Sequence, residues 1–191
     1  MASHSVTKLS AEEYLALDRA AEFRSELLDG EMVAMSGGSM RHAKLGANVL
    51  GELHMALRGR ECQAYSSDFR VRVSAATYTY PDATVVCGQP ILADERQDIL
   101  LNPTVIFEIL SPSTERYDRG LKLQHYRRIE SLRDYILVDQ NQMRIEQYTR
   151  GDANTWTLRD YAGPNATLTI ESIGVSLALD RLYDRVEIPR D

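Results

Sequence analysis

One acid stands inside the most apolar segment of this chain. Val105-Ile106-Phe107-Glu108-Ile109-Leu110 is β-branched and aromatic enough to read as a strand covered on both faces, with Glu108 in its middle. A buried carboxylate is costly unless it is paired, protonated or bound to a metal, so the fold must bring Glu108 a partner. Ser111-Pro112-Ser113-Thr114 breaks the run with turn and cap chemistry. A helix is expected next, with Asp118, Lys122 and Tyr126 on one face at i, i+4 and i+8. A strand acid is thereby delivered close to a helix lysine.

The rest of the chain supplies elements to surround that strand. Residues 1–8 read as a frayed lead-in. Ser10 and Glu13 fit a capping box, Leu9 can staple onto Tyr14, and a short helix to about Arg19 follows. Glu26 to Val33 reads as a hairpin around Asp29-Gly30, and Ser36-Gly37-Gly38-Ser39 as a loop. The clearest helix runs from His42 to Arg58, where Leu45, Val49, Leu53 and Leu57 recur every fourth residue and Gly59 can stop it. Asp68 to Val73 alternates apolar and charged residues, as a half-buried strand does. Ala75-Ala76-Thr77 reads as a turn, Ala83 to Cys87 as a short buried strand, and 88–103 as a polar connection with a helical turn near Asp94. Tyr135 to Asp139 is another buried strand. Weaker strands are expected at 144–148, 155–159, 167–170 and 175–179, before a short helical tail. Helix, three strands, helix, strand is the order of an α/β core, extended or flanked by the later strands.

Composition narrows the function. The chain has 191 residues, enough for one domain with a sizeable core. Its net charge of −6 is a poor match to a non-specific nucleic-acid binder, though it leaves room for a local basic groove. No apolar stretch is long enough to span a bilayer, and the first residues lack a signal-peptide pattern. Cys62 and Cys87 lack metal-ligand spacing; Cys87 ends an apolar run and is expected buried and reduced. A cytoplasmic protein without a membrane partner is inferred.

Candidate chemistry gathers at two acids. If strands 83–87 and 105–110 pair, Asp82 and Glu108 lie near each other at one end of the sheet. Two such carboxylates repel unless a cation sits between them, and oxygen ligands of this kind suit Mg²⁺. Each acid also has a plainer role open to it: Asp82 as a turn residue after Pro81, Glu108 in a buried salt bridge to Lys122 or Arg70. Lys122 can orient a water or stabilise phosphate charge, or simply pair with Asp118 one turn back. Tyr126 can hydrogen-bond a phosphate or pack. His42 follows the Gly-rich loop and opens a helix, where anions are favoured, or lies on the surface behind a Ser39 cap. Glu26 alone says little. Asp68, Arg70 and Arg72 can line a groove or form the wet face of a strand. The four histidines lack zinc-ligand spacing, and no GxSxG, P-loop or paired CxxC motif occurs.

These residues carry a resemblance. Glu26-Leu27-Leu28-Asp29-Gly30-Glu31, Met35 to Ser39 with His42, Tyr80-Pro81-Asp82, Glu108 to Thr114 with Asp118, Lys122 and Tyr126, and Tyr135 to Asp139 recur in that order in one family. The chain resembles the Uma-two family of restriction endonucleases, within the PD-(D/E)XK nuclease superfamily, from roughly Leu9 to Trp156. The resemblance implies one restriction-endonuclease-like α/β (α+β) domain over residues 1–191. A central mixed sheet flanked by helices would occupy about 40–140, with the N-terminal helix-hairpin and C-terminal strands as additions. It implies that Asp82 and Glu108 bind Mg²⁺ or Mn²⁺, with the Ile109 carbonyl as a further ligand, and that Lys122 positions or deprotonates the water. Leu110 stands where the superfamily lysine would be, and Lys122 is expected to take its place. Glu26, His42 and Tyr126 match recurring positions without assigned roles. The implied activity is Mg²⁺-dependent hydrolysis of nucleic-acid phosphodiester bonds, DNA first. Collecting DNA on an acidic chain calls for a homodimer or a local basic cleft. Two other readings stay open. One is a catalytically inactive relative that binds nucleic acid or protein, with Asp82, Glu108 and Lys122 as a buried ion network. The other is a loop at Ser36–Ser39 that holds a small phosphate ligand.

Overall fold

The computed structural model describes residues 8–35 and 37–189. Residues 1–7 of the segment expected to be a frayed lead-in, and Ser36 of the Gly-rich loop, lie outside the described residues. Helix α1 (Ala11–Ala20) starts on the expected capping box: Ser10 Oγ accepts from Glu13 N–H at 3.2 Å, and Ser10 N–H donates to Glu13 Oε2 at 2.8 Å. Leu9 packs with Tyr14 in the small core beneath it. β1 (Ser25–Leu28) and β2 (Glu31–Ala34) form the hairpin, with Asp29 and Gly30 both at positive φ, as an Asp-Gly turn of this kind requires.

Helix α2 (Met40–Leu57) carries Leu45, Val49, Leu53 and Leu57 on its buried face, and Gly59 follows it at φ 75°. Six strands come next: β3 (Cys62–Ser66), β4 (Arg70–Ser74), β5 (Thr77–Thr79), β6 (Ala83–Cys87), β7 (Ile99–Leu100) and β8 (Val105–Leu110). The chain then turns helical through α3 (Glu115–Tyr117), a π-helical turn (Asp118–Lys122) and α4 (Leu123–Tyr126). β9 (Asp134–Asp139), β10 (Arg144–Arg150), β11 (Trp156–Ala162), β12 (Thr167–Ile170), β13 (Val175–Ala178) and α5 (Leu179–Leu182) complete it.

The central sheet has six strands in the order β11-β10-β9-β8-β6-β3. It is mixed: β8 and β9 are parallel, and the other neighbours are antiparallel. β8 is buried at all six residues, as its apolar run demands. Alternate side chains serve two cores. Val105, Phe107 and Ile109 pack with α2, the β12–β13 hairpin and α5, while Ile106 and Leu110 pack with Tyr126, Ile129 and Leu132 on the other face. A second sheet, β2-β1-β5-β4-β7, lies on that second side. No helix of the described residues is long and apolar enough to cross a membrane.

Four expectations need correction. Strand β5 begins at Thr77, in the segment read as a turn, and β7 lies in the stretch read as a polar connection; at three and two residues both are too short for alternation to show. Arg70 does not face water from β4; it is 3% exposed. Cys62 and Cys87 are neither reduced nor fully buried. They stand opposite each other in the β3–β6 ladder and are joined by a disulfide. The inference of a cytoplasmic setting loses the support it drew from reduced thiols. The helix after Ser111–Thr114 is not a regular α-helix, since the π turn interrupts it.

Candidate active site

Glu108 projects from the middle of β8 onto the face that carries the helical segment 115–126 and the smaller sheet. Asp82 sits just before β6, one step outward from the Ala83–Phe107 pair, so antiparallel pairing brings the two acids to the same end of the sheet. The π turn then presents Asp118 and Lys122 inward; both are buried. Such turns absorb an extra residue per turn and are common at functional sites. Glu26, from β1, closes the far side.

These groups share one cleft of about 600 Å³, walled by Leu28, Val33, Met35, Gly37, Gly38 and Pro112. Glu26, His42, Asp82, Glu108, Asp118 and Lys122 all line it. Lys122 Nζ lies 2.8 Å from Glu108 Oε1, 3.3 Å from Glu26 Oε1 and 3.7 Å from Asp118 Oδ1. The expected salt bridge of Glu108 to Lys122 is therefore present, and Arg70 belongs elsewhere. Burial works against the ammonium, but Glu108, Glu26 and Asp118 outweigh it and push its pKa well above the ordinary lysine value. Burial also raises the Glu108 carboxyl well above the usual carboxylate range; Lys122 opposes the shift, and Asp118, Asp82 and Glu26 add to it. Asp118 is raised by burial too, against Lys122 and a Thr114 hydrogen bond.

The remaining polar groups hold this arrangement in place. Tyr126, fully buried, donates to Glu108 Oε1 at 2.7 Å and approaches Thr79 Oγ1 at 3.0 Å, so it braces the acid from beneath rather than facing the cleft. Ile109 N–H donates to Asp82 Oδ2 at 2.7 Å. His42 Nε2 stands 3.5 Å from the same oxygen, and that contact raises the imidazole pKa against the effect of burial. Ser39 caps α2 by accepting from His42 N–H, as the plainer reading had it, yet the imidazole still lines the cleft. Gly38 lies close beside it: a Cβ there would fall 2.8 Å from His42 Nδ1, so the imidazole would have to shift.

Several residues of the cleft, Gln140, Tyr117 and Arg41 among them, were not singled out in the sequence. Gln140 donates to the Leu110 carbonyl at 2.8 Å and accepts from Ser39 Oγ at 2.6 Å, tying the end of β8 to the start of α2. Asp118 was visible in the sequence as a helix-face partner of Lys122, but its burial was not. Tyr117 precedes it and carried no signal at all. Among the described residues, no three acidic, histidine or cysteine side chains converge to hold a metal ion; Glu108, Glu26 and Asp118 face the Lys122 ammonium, and Asp82 faces Ile109 N–H and His42. In kind, the donors still suit a hard cation: several carboxylate oxygens, no sulfur, and more negative than positive charge in one hollow.

A six-stranded mixed sheet with acids at the end of two adjacent strands and helices on its flanks defines a restriction-endonuclease-like protein. The family model described as "Putative restriction endonuclease", Uma2, matches residues 11–180, and the chain belongs to that family. Two uncharacterized proteins of Synechocystis are similar over most of their length. The protein slr1290 is 34% identical over 178 residues, 92% of each chain. The protein sll1609 is 33% identical over 161 residues, 84% of this chain and 91% of its own. Among solved structures, "a putative nuclease belonging to DUF820" from Anabaena variabilis superposes with a TM-score of 0.76. At 19% identity over 92% of this chain and 97% of that one, it establishes the shared fold.

Proposed function

We propose that this protein is a Mg²⁺-dependent endonuclease, Mn²⁺ serving equally, that hydrolyses phosphodiester bonds of DNA. One observation carries the reading: acids from two neighbouring strands and a lysine from the π turn face a single open cleft. Asp82 and Glu108, with the Ile109 carbonyl, would hold the cation. When bound, the metal polarises the phosphate and acidifies the attacking water. Lys122, held by Glu108 and Glu26, would position or deprotonate the attacking water and offset charge on the phosphate. Tyr126 fixes the Glu108 carboxylate, Ile109 N–H and His42 fix Asp82, and Glu26 holds Lys122 from the opposite wall. Arg41 also lines the cleft and supplies a local cation on an acidic chain; a homodimer would supply more.

One feature favours a second reading, a nuclease-fold protein that binds without cutting. Glu108 Oε1 already accepts from both Lys122 and Tyr126, which leaves that oxygen saturated. Plasmid nicking in Mg²⁺ separates the two. Wild type is expected to nick, while Glu108→Ala and Lys122→Ala do not; equal activity in all three would point to a contaminant. Titration with Mn²⁺ is expected to lose affinity in Asp82→Ala. Metal binding without cleavage by the wild type would favour the second reading.

A further inference from the structure

Tyr117 offers an O–H that no protein group accepts from. Its Oη is shut from solvent and has no hydrogen-bond partner. Thr84 Oγ1 and both ring nitrogens of His125 share that condition, but neither residue lines the cleft; Tyr117 does. Its ring centroid lies 5.9 Å from Lys122 Nζ, and it leads directly into the π turn that delivers Asp118 and Lys122. Burial, then Glu26, holds the phenol in its protonated form, with Lys122 opposing. The group is therefore a donor placed among acids, yet it bonds none of them. A buried donor that no protein group accepts from costs free energy, and a role in binding or catalysis is one of the accounts such an atom calls for.

We propose that the Tyr117 hydroxyl is a substrate contact, donating its hydrogen bond to a non-bridging oxygen of the phosphodiester that lies against Lys122. The inference rests on the nuclease reading above and adds a residue to it. A protonated phenol is a poor ligand for a hard cation, so the partner that suits it is an anionic oxygen. The contact would strengthen as negative charge gathers on the phosphate, which assigns its effect to turnover more than to binding.

Tyr117→Phe tests this, because it removes one oxygen and keeps the ring. Three measurements on the full chain decide it: Mn²⁺ affinity by calorimetry, cleavage of a DNA duplex with kcat and KM separated, and thermal unfolding without metal. Mn²⁺ affinity is expected to stay within about twofold, kcat to fall about 10- to 100-fold for loss of one donor to the phosphate, and Tm to rise by a few degrees once the unbonded hydroxyl is gone. A lower Tm would mean that the hydroxyl has an internal partner, and unchanged kcat would mean that it touches no substrate; either overturns the proposal while leaving the nuclease reading intact. A wild type that neither binds Mn²⁺ nor cleaves DNA removes both together.

Discussion

Among the described residues, one buried ion cluster is centred on Arg70 and closed within the protein, and another is centred on Lys122 and lines the cleft of the candidate site. In the first, Arg70 bonds Asp18 at 2.5 Å, Asp98 at 3.3 Å and the Tyr80 hydroxyl at 2.6 Å, with its guanidinium over the rings of Tyr14 and Tyr80. Asp18 also accepts from Ser25 N–H and Tyr80 Oη, and Arg19 shares Asp98 and adds Asp94. Two guanidiniums meet three carboxylates, and the polar side chains named here all find partners. In the second, a single ammonium meets Glu108, Glu26 and Asp118, Asp82 stands nearby with His42, and the Tyr117 hydroxyl is left over. Buried charge alone therefore does not mark a site. The proposed site differs in what surrounds it: its acids and its ammonium line a hollow, whereas Arg70 is closed in by its partners.

The largest expected effect that would sharpen this contrast is on cleavage. Glu108→Gln keeps an acceptor for Tyr126 and Lys122 but removes the charge, and should cut the plasmid-nicking rate by about a thousandfold. Asp18→Ala should leave nicking per folded molecule unchanged. On stability the order reverses. Asp18→Ala strands the buried Arg70 and should cost about 3–5 kcal/mol in denaturant unfolding, whereas Glu108→Gln should cost nothing or raise Tm. If Glu108→Gln proved the more destabilising of the two, the clusters would be alike and the contrast would fail.

Acid should act on the two with opposite sign. Glu108 keeps its proton to higher pH in the folded protein than in the unfolded chain, where it titrates near 4.5. The folded state thus binds more protons above pH 4.5, and this group's effect on stability worsens as pH rises from there. The Tm advantage of Glu108→Gln should be present at pH 7 and shrink as pH falls towards 4.5. Asp98 runs the other way. Its hydrogen bond to Arg19 lowers its pKa below the ordinary 3.8, so its contribution is full above pH 3.8 and is lost as pH falls through the folded value. Melting curves of wild type, Glu108→Gln and Asp98→Asn from pH 3 to 7 would read both slopes. The smallest effect belongs to neither cluster. Ser10→Ala removes the cap of α1 and should cost about 1 kcal/mol with nicking unaltered; a loss of nicking would tie α1 to the site.

The sequence made legible whatever is written locally. The capping box, the Asp-Gly turn, the four-residue spacing of α2 and the acid within β8 are short-range patterns, and the structure carries each of them. The pairing of β6 with β8, the condition on which Asp82 and Glu108 would meet, is also present. What stayed hidden depends on distant partners. Arg70 is buried because Asp18 and Tyr80 reach it from other elements, and alternation along β4 carries no trace of them. The Cys62–Cys87 bond follows from strand register across 25 residues, not from spacing. The π turn leaves the i, i+4 pattern of Asp118 and Lys122 intact, so nothing in it announces that Asp118 and Tyr117 turn inward.

Tyr80 joins the clusters. Its hydroxyl serves Arg70 and Asp18, while its backbone N–H donates to Glu26 Oε1, the oxygen that also meets Lys122. Glu26 and Tyr80 both come from the five-stranded side, so the lysine is moored to one bank of the cleft while the acids it serves stand on the other. A chain begun at Met40 would keep Asp82, Glu108 and Lys122 and still lose that mooring. Exchanging the first forty residues between relatives would thus retune the lysine without altering one residue of the strands that carry Asp82 and Glu108.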